Sequence, residues 1–133
     1  MTRSTTANMV MGFDFGMKRI GVAVGQRVTG TATAVTVLKA KDGIPNWQAI
    51  SALLKEWSPD ELVVGNPLNM DGTDSEMTHL SKKFANRLHG RFGLTCHHID
   101  ERLTTFEARD ADSEGDVDDI AACLIVESYF RTG

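Results

Sequence analysis

The sequence predicts an α/β fold built on a mixed sheet, and three observations carry that expectation. Three strand-like runs come first, close together and joined through glycine-bearing turns, which is the spacing of an antiparallel meander. Two more strand-like runs follow, separated from their predecessors by segments whose apolar residues recur at helical spacing. The chain then ends on a further apolar helical pattern, so strands of both senses share one sheet with helices beside it.

The elements follow from local chemistry. Residues 9–15 and 19–25 read as strands joined by Gly16-Met17-Lys18, and 31–38, rich in Thr and Val, forms the third strand after Thr29-Gly30. Lys41-Asp42-Gly43 reads as a loop. Asn46 is a good N-cap for a helix carrying Trp47, Ile50, Leu53, Leu54 and Trp57 on one side. Ser58-Pro59 stops that helix, because the residue before proline avoids the helical region. Residues 61–65 form a short apolar strand, expected to be central, and a loop then leads into a helix over about 74–89. Met77, Leu80, Phe84 and Leu88 mark its buried side, with Lys82, Lys83 and Arg87 toward the other. Residues 95–99 are the fifth strand, and Thr104-Thr105-Phe106-Glu107 has the form of a capping box for a short helix. The last helix spans about 117–130, with Ile120, Ala121, Leu124, Ile125 and Ser128 on its packing side.

Bulk properties narrow the function classes. At 133 residues the chain suits one domain, expected over 9–133 behind a flexible polar tail at 1–8. No apolar run approaches the roughly 20 residues that span a bilayer, so no membrane role is expected. Cys96 and Cys123 sit beside apolar neighbours and are expected to be reduced packing residues, which fits a cytoplasmic location. The net charge of −4 argues against a protein that coats nucleic acid through its overall field. It leaves room for a nuclease, whose acidic centre uses metal ions and whose grip can come from one basic face.

The acidic residues are placed unusually. Asp14 lies inside an apolar strand pattern, where a carboxylate without a partner is costly. Asp100 and Glu101 follow the fifth strand, and Asp116, Asp118 and Asp119 open the last helix. A salt bridge to Arg102 accounts equally well for Glu101, and the helix dipole for one or two of the aspartates. Converging at one sheet edge, they would instead form the hard oxygen ligand set that suits Mg²⁺ or Mn²⁺. Two such ions would stabilise both the attacking water and the leaving oxygen of a phosphodiester. Cys96 and His98 can share a strand face, but zinc needs three or four ligands and no matching ligand pair is evident elsewhere.

Four segments together resemble the YqgF/RuvX family of ribonuclease-H-like proteins, described as Holliday junction resolvase-like and as pre-16S rRNA nucleases. They are Phe13-Asp-Phe-Gly-Met-Lys-Arg-Ile-Gly-Val-Ala-Val24, Val64-Gly-Asn-Pro-Leu-Asn-Met-Asp-Gly72, Asp100-Glu-Arg-Leu-Thr-Thr105 and Val117-Asp-Asp-Ile-Ala-Ala122, in the family's order. The resemblance implies a five-stranded mixed sheet of order 3-2-1-4-5, flanked by helices, with a catalytic acidic cluster that also holds Mg²⁺ or Mn²⁺. It carries over to Asp14, Glu101 and Asp118, with Asp100 and Asp119 as adjacent alternatives. Lys18, Arg19, Lys83, Arg87 and Arg102 are the expected nucleic-acid contacts. The implied substrate is structured nucleic acid, precursor ribosomal RNA first and branched DNA second. A junction resolvase would need a homodimer to cut two strands.

Two other classes compete. Actin-like ATPases share the topology, but close two domains around a nucleotide and are far longer. A non-catalytic RNA- or ribosome-binding module could keep the fold and lose cleavage. The chain also departs from the family between Arg109 and Val117, where relatives carry a longer, partly basic segment and this chain has Asp110, Asp112, Glu114 and Asp116. Acidic charge there repels phosphates instead of neutralising them. If the short segment is a true deletion, weak nucleic-acid affinity, a preference for high metal concentration and poor discrimination between substrates are expected. A binding isotherm showing tight, selective association would establish that the longer loop is not needed for grip.

Overall fold

The computed structural model describes residues 9–66, 76–100 and 117–132, with the backbone alone described for Asn66, Asp100, 117–120 and Thr132. The expected tail at 1–8 and the helix at 104–107 lie outside these residues. Among the described residues, six strands run as β1 (Met9–Asp14), β2 (Arg19–Gln26), β3 (Thr31–Lys41), β4 (Ile44–Pro45), β5 (Glu61–Asn66) and β6 (Cys96–Asp100). Three helices accompany them within the same residues: α1 (Trp47–Trp57), α2 (Glu76–Phe92) and α3 (Val117–Thr132). The sheet order is β4-β3-β2-β1-β5-β6. Strands β1, β2 and β3 form the antiparallel meander, while β5 and β6 add parallel to β1.

The five-strand expectation is thus short by one. Asp42 and Gly43 both take left-handed backbone (φ 54° and 81°) and reverse the chain within two residues. Ile44–Pro45 then folds back to pair with Ala40 and Lys41, and β3 extends past Leu38 to meet it. The order of the other five strands is the one expected.

Helix α1 begins as its sequence requires. The Asn46 side-chain oxygen accepts the Gln48 N–H at 2.9 Å. At the other end Ser58 turns left-handed (φ 48°), and its N–H donates to the Leu54 carbonyl. Strand alternation divides the core into two layers. Met11, Phe13, Ile20, Val22, Leu62 and Val64 face α1 and α2, where they meet Ile50, Phe84, Ala85 and Leu88. Val10, Ala23, Val63 and Ile99 face α3 and meet Ala122, Ile125 and Val126.

The packing side of α3 differs from expectation. Ala122 and Val126 join Ile125 and Ser128 in the buried set, whereas Ala121 and Leu124 are half-exposed. The cause lies on the sheet. Gly12 and Gly25 present no side chain beneath α3, and a Cβ at Gly25 would lie 2.7 Å from Val126 Cγ1. A Cβ at Gly12 would overlap Val126 Cγ2 outright. Val126 therefore seats over both strands, and that seating sets the rotation of the helix.

A polar cluster fastens the far end of α3. Buried Glu61 accepts the Tyr129 hydroxyl at 2.8 Å, pairs with Arg27 at 3.5 Å and meets His97 Nε2. The Arg27 guanidinium lies 5.4 Å from the centres of both the Tyr129 and Phe130 rings. Gly12→Ala is expected to lift α3 and destabilise the protein by about 1–3 kcal/mol. Thermal denaturation checks this, and an unchanged Tm would show that α3 seats without the glycine.

Candidate functional site

Asp14 ends β1 between buried Phe13 and Phe15, and is itself half-buried. Its strand-mates Val10 and Gly12 face α3, so alternation puts Asp14 on that same face. Its partner in β2 is Gly21. Parallel pairing aligns Phe13 with Val64, Val64 with His98, and Asn66 with Asp100. The carboxyl ends of β1, β5 and β6 therefore reach one edge of the sheet, where open α/β sheets form their crevices.

Helix α3 runs against these strands. Near its end, Glu127 accepts the Ala32 N–H at 3.3 Å, beside the amino end of β1. Nearer its start, the Ala122 carbonyl oxygen approaches Gly12. Four residues back along the helix is roughly 6 Å, and two residues on from Gly12 is roughly 6.6 Å of strand. The backbone of Asp118 is thus level with Asp14.

The remaining expected residues divide as follows. Glu101 and Arg102 continue the chain from the end of β6 and lie outside the described residues, as does the stretch between Arg109 and Val117. Among the described residues, no three His, Cys, Asp or Glu side chains are grouped to hold an ion. Lys18 and Arg19 are exposed at the start of β2, on the edge that carries Asp14. Lys82, Lys83 and Arg87 are exposed on α2, but that helix packs through Phe84, Ala85 and Leu88 on the opposite face of the sheet. The structure therefore brings Arg19 to the layer of Asp14 and keeps Lys83 and Arg87 in the other.

Cys96 and His98 do share a face, as alternation requires, and His97 points to the opposite side with Glu61. Burial pushes the Cys96 thiol up to about 12, which holds it protonated among apolar neighbours. His98 is shifted down by burial, then by Lys82 and His97, so its neutral form is favoured in the fold. Cys96 and Cys123 are not joined in a disulfide. The Arg27–Glu61–His97–Tyr129 cluster escaped the sequence, since its members come from separate elements; an acid opening an otherwise apolar strand at Glu61 was the available signal.

A family model described as RuvX, Holliday junction resolvase, matches residues 8–132. The chain belongs to this family. A Haemophilus influenzae relative named "Putative pre-16S rRNA nuclease" is 57% identical over 130 residues, covering 91% of this chain and 94% of the relative. A Salmonella enteritidis relative of the same name is 52% identical over 136 positions, covering 96% and 99%. An alignment of 136 positions that takes in 96% of a 133-residue chain leaves parts of the relative with no counterpart here. Among solved structures, Thermus thermophilus RuvC in complex with a Holliday junction matches with a TM-score of 0.57 at 14% identity, covering 95% of this chain and 96% of that one. The fowlpox virus Holliday junction resolvase matches with a TM-score of 0.53 at 15% identity, covering 94% and 99%. At such identities these two matches bear on the fold, a RuvC-like ribonuclease-H arrangement.

Protonation of Cys96 has a direct consequence. At pH 8 its thiol should resist alkylation in the folded protein and react only after denaturation, because the thiolate is the reactive form. Mass spectrometry of peptides from protein alkylated before and after unfolding measures this.

Proposed function

We propose that this RuvX-family chain is a metal-dependent nuclease that hydrolyses phosphodiesters in structured nucleic acid, with the 5′ end of precursor 16S ribosomal RNA as its substrate. The observation that carries the reading is the position of Asp14: a carboxylate at the end of a central strand, on the α3 face, with the backbone of Asp118 level with it. The names carried by relatives at 52–57% identity support the choice of substrate. No described helix is long and apolar enough to cross a membrane, and we take the site of action to be the cytoplasm.

In this reading Asp14, Glu101 and Asp118 hold the divalent ion, Mg²⁺ or Mn²⁺. The donor chemistry fits, since carboxylate oxygens are the hard ligands such ions prefer. A bound divalent ion supplies an activated water at neutral pH and charge stabilisation for the leaving oxygen. The protein's own part is placement. Asp14 is held on rigid strand backbone between two buried phenylalanines, and α3 is fixed against the same strand by its glycine contact. Lys18, Arg19 and Arg102 then hold substrate phosphates near the carboxylates, while Lys83 and Arg87 meet any part of a large substrate that wraps to the α2 layer.

A second reading, cleavage of four-way DNA junctions, follows the family description and calls for two copies of the chain to cut two strands. Wild type and Asp14→Asn should be compared on structured RNA and on a four-way junction, with each metal. Asp14→Asn is expected to abolish cleavage and to raise the metal-free Tm, since it relieves repulsion among close carboxylates. Mn²⁺ should raise the Tm of the wild type more than that of the variant. Turnover that survives the substitution would remove Asp14 from the catalytic set, and RNA binding without cleavage in any metal would leave a binding module.

A further inference from the structure

We propose that Lys39 and Lys41 grip the phosphate backbone of the substrate beside Asp14, so that the bound strand runs outward across β2 and β3. The proposal rests on the nuclease reading above and assigns the path of the substrate over the protein. It begins with a cross-strand pair. The register of β2 and β3 sets Arg19 opposite Lys39, both exposed. The pair sets two cations side by side on one face of the antiparallel ladder.

Lys41 follows on the same side of β3, held there by pairing with Ile44 of β4. Two backbone hydrogen bonds tie the chain before β2 to the end of β3: Ala40 N–H donates to the Lys18 carbonyl at 2.8 Å, and Gly43 N–H to that of Met17 at 2.9 Å. Lys18, Arg19, Lys39 and Lys41 thereby gather at one corner of a protein whose net charge is −4, with Asp42 the acidic residue of the adjoining turn. Such concentration of positive charge is the footprint of a phosphate-binding surface.

Alternation settles which way the patch faces. Ile20 and Leu38 pair with each other and point into the α1 and α2 layer. Arg19 and Lys39, one position along, point to the α3 side, which is the side of Asp14. From β1 to β3 is two strand spacings, about 10 Å, or about three nucleotides at the axial rise of a nucleic-acid strand. The lysines therefore meet the backbone a few nucleotides from the bond nearest Asp14. As point charges they hold phosphates without reading bases.

The test uses the full-length chain carrying Asp14→Asn, so that binding is measured without cleavage. A stem-loop RNA with single-stranded flanks and a four-way DNA junction are titrated over a range of salt concentrations. Adding Lys39→Ala with Lys41→Ala should flatten the logarithmic salt slope by about 1.4 on single-stranded RNA and by about 1.8 on duplex, and weaken binding tenfold or more at about 0.1 M salt. The Tm should stay near that of the parent, because both lysines are exposed. Lys39→Arg with Lys41→Arg should retain the slope. An unchanged slope in the alanine pair, with the loss found instead in Lys83→Ala with Arg87→Ala, overturns the proposal and moves the grip to α2. Loss of binding in the arginine pair also overturns it, since charge would then not be the cause. Failure of the wild type to bind or cleave either nucleic acid overturns the nuclease reading itself.

Discussion

The close approach of α3 to β1 and β2 governs the arrangement of this molecule. Two strand positions without side chains, Gly12 and Gly25, admit Val126 to the sheet surface, and no larger residue fits there without displacing the helix. Packed interiors respond to such changes in discrete shifts rather than smooth accommodation. A helix seated this way is fixed in rotation and in height. Its height decides where its first turn meets the carboxyl ends of the strands, and hence what can be assembled beside Asp14.

The opposite end of α3 is held by a different kind of interaction. Glu61 is buried beneath it, and a buried carboxylate is costly unless its oxygens are satisfied. Tyr129, Arg27 and His97 provide three partners drawn from the helix, the β2–β3 hairpin and the edge strand. Steric fit near the middle of the helix and a satisfied charge near its end act together. The first is a matter of shape, whereas the second is electrostatic.

Charge is distributed along the same division into layers. The sheet separates the basic stripe of α2 from the face that carries Asp14, and the β2–β3 corner supplies a second basic group on the Asp14 side. An acidic chain can thus present local positive surface on either side of the sheet. The nearer group matters more for a phosphate at the strand ends, because exposed charges further apart than about 8–10 Å are largely screened at ordinary salt.

Much of the fold was legible in the sequence because it depends on local chemistry. The Asn46 cap, the stop at Ser58-Pro59, the meander of the first three strands and the exposed cations of α2 follow from residue type and periodicity within short windows. The four ordered motifs placed the chain in its family and marked Asp14 as the carboxylate at a strand end. Tertiary structure decided what those windows do not contain. Ala121, Ala122, Leu124, Ile125 and Val126 make α3 apolar around most of its circumference, so only the glycines of two distant strands could choose its buried side. Strand β4 depends on a left-handed turn at Asp42 that its composition only permits. The pairing of Arg19 with Lys39 was equally hidden, because a register shift at Val22 and Ala23 breaks the alternation along β3. Local sequence determines which elements form and what each can bury; their mutual register and rotation are set by steric contact between residues far apart in the chain.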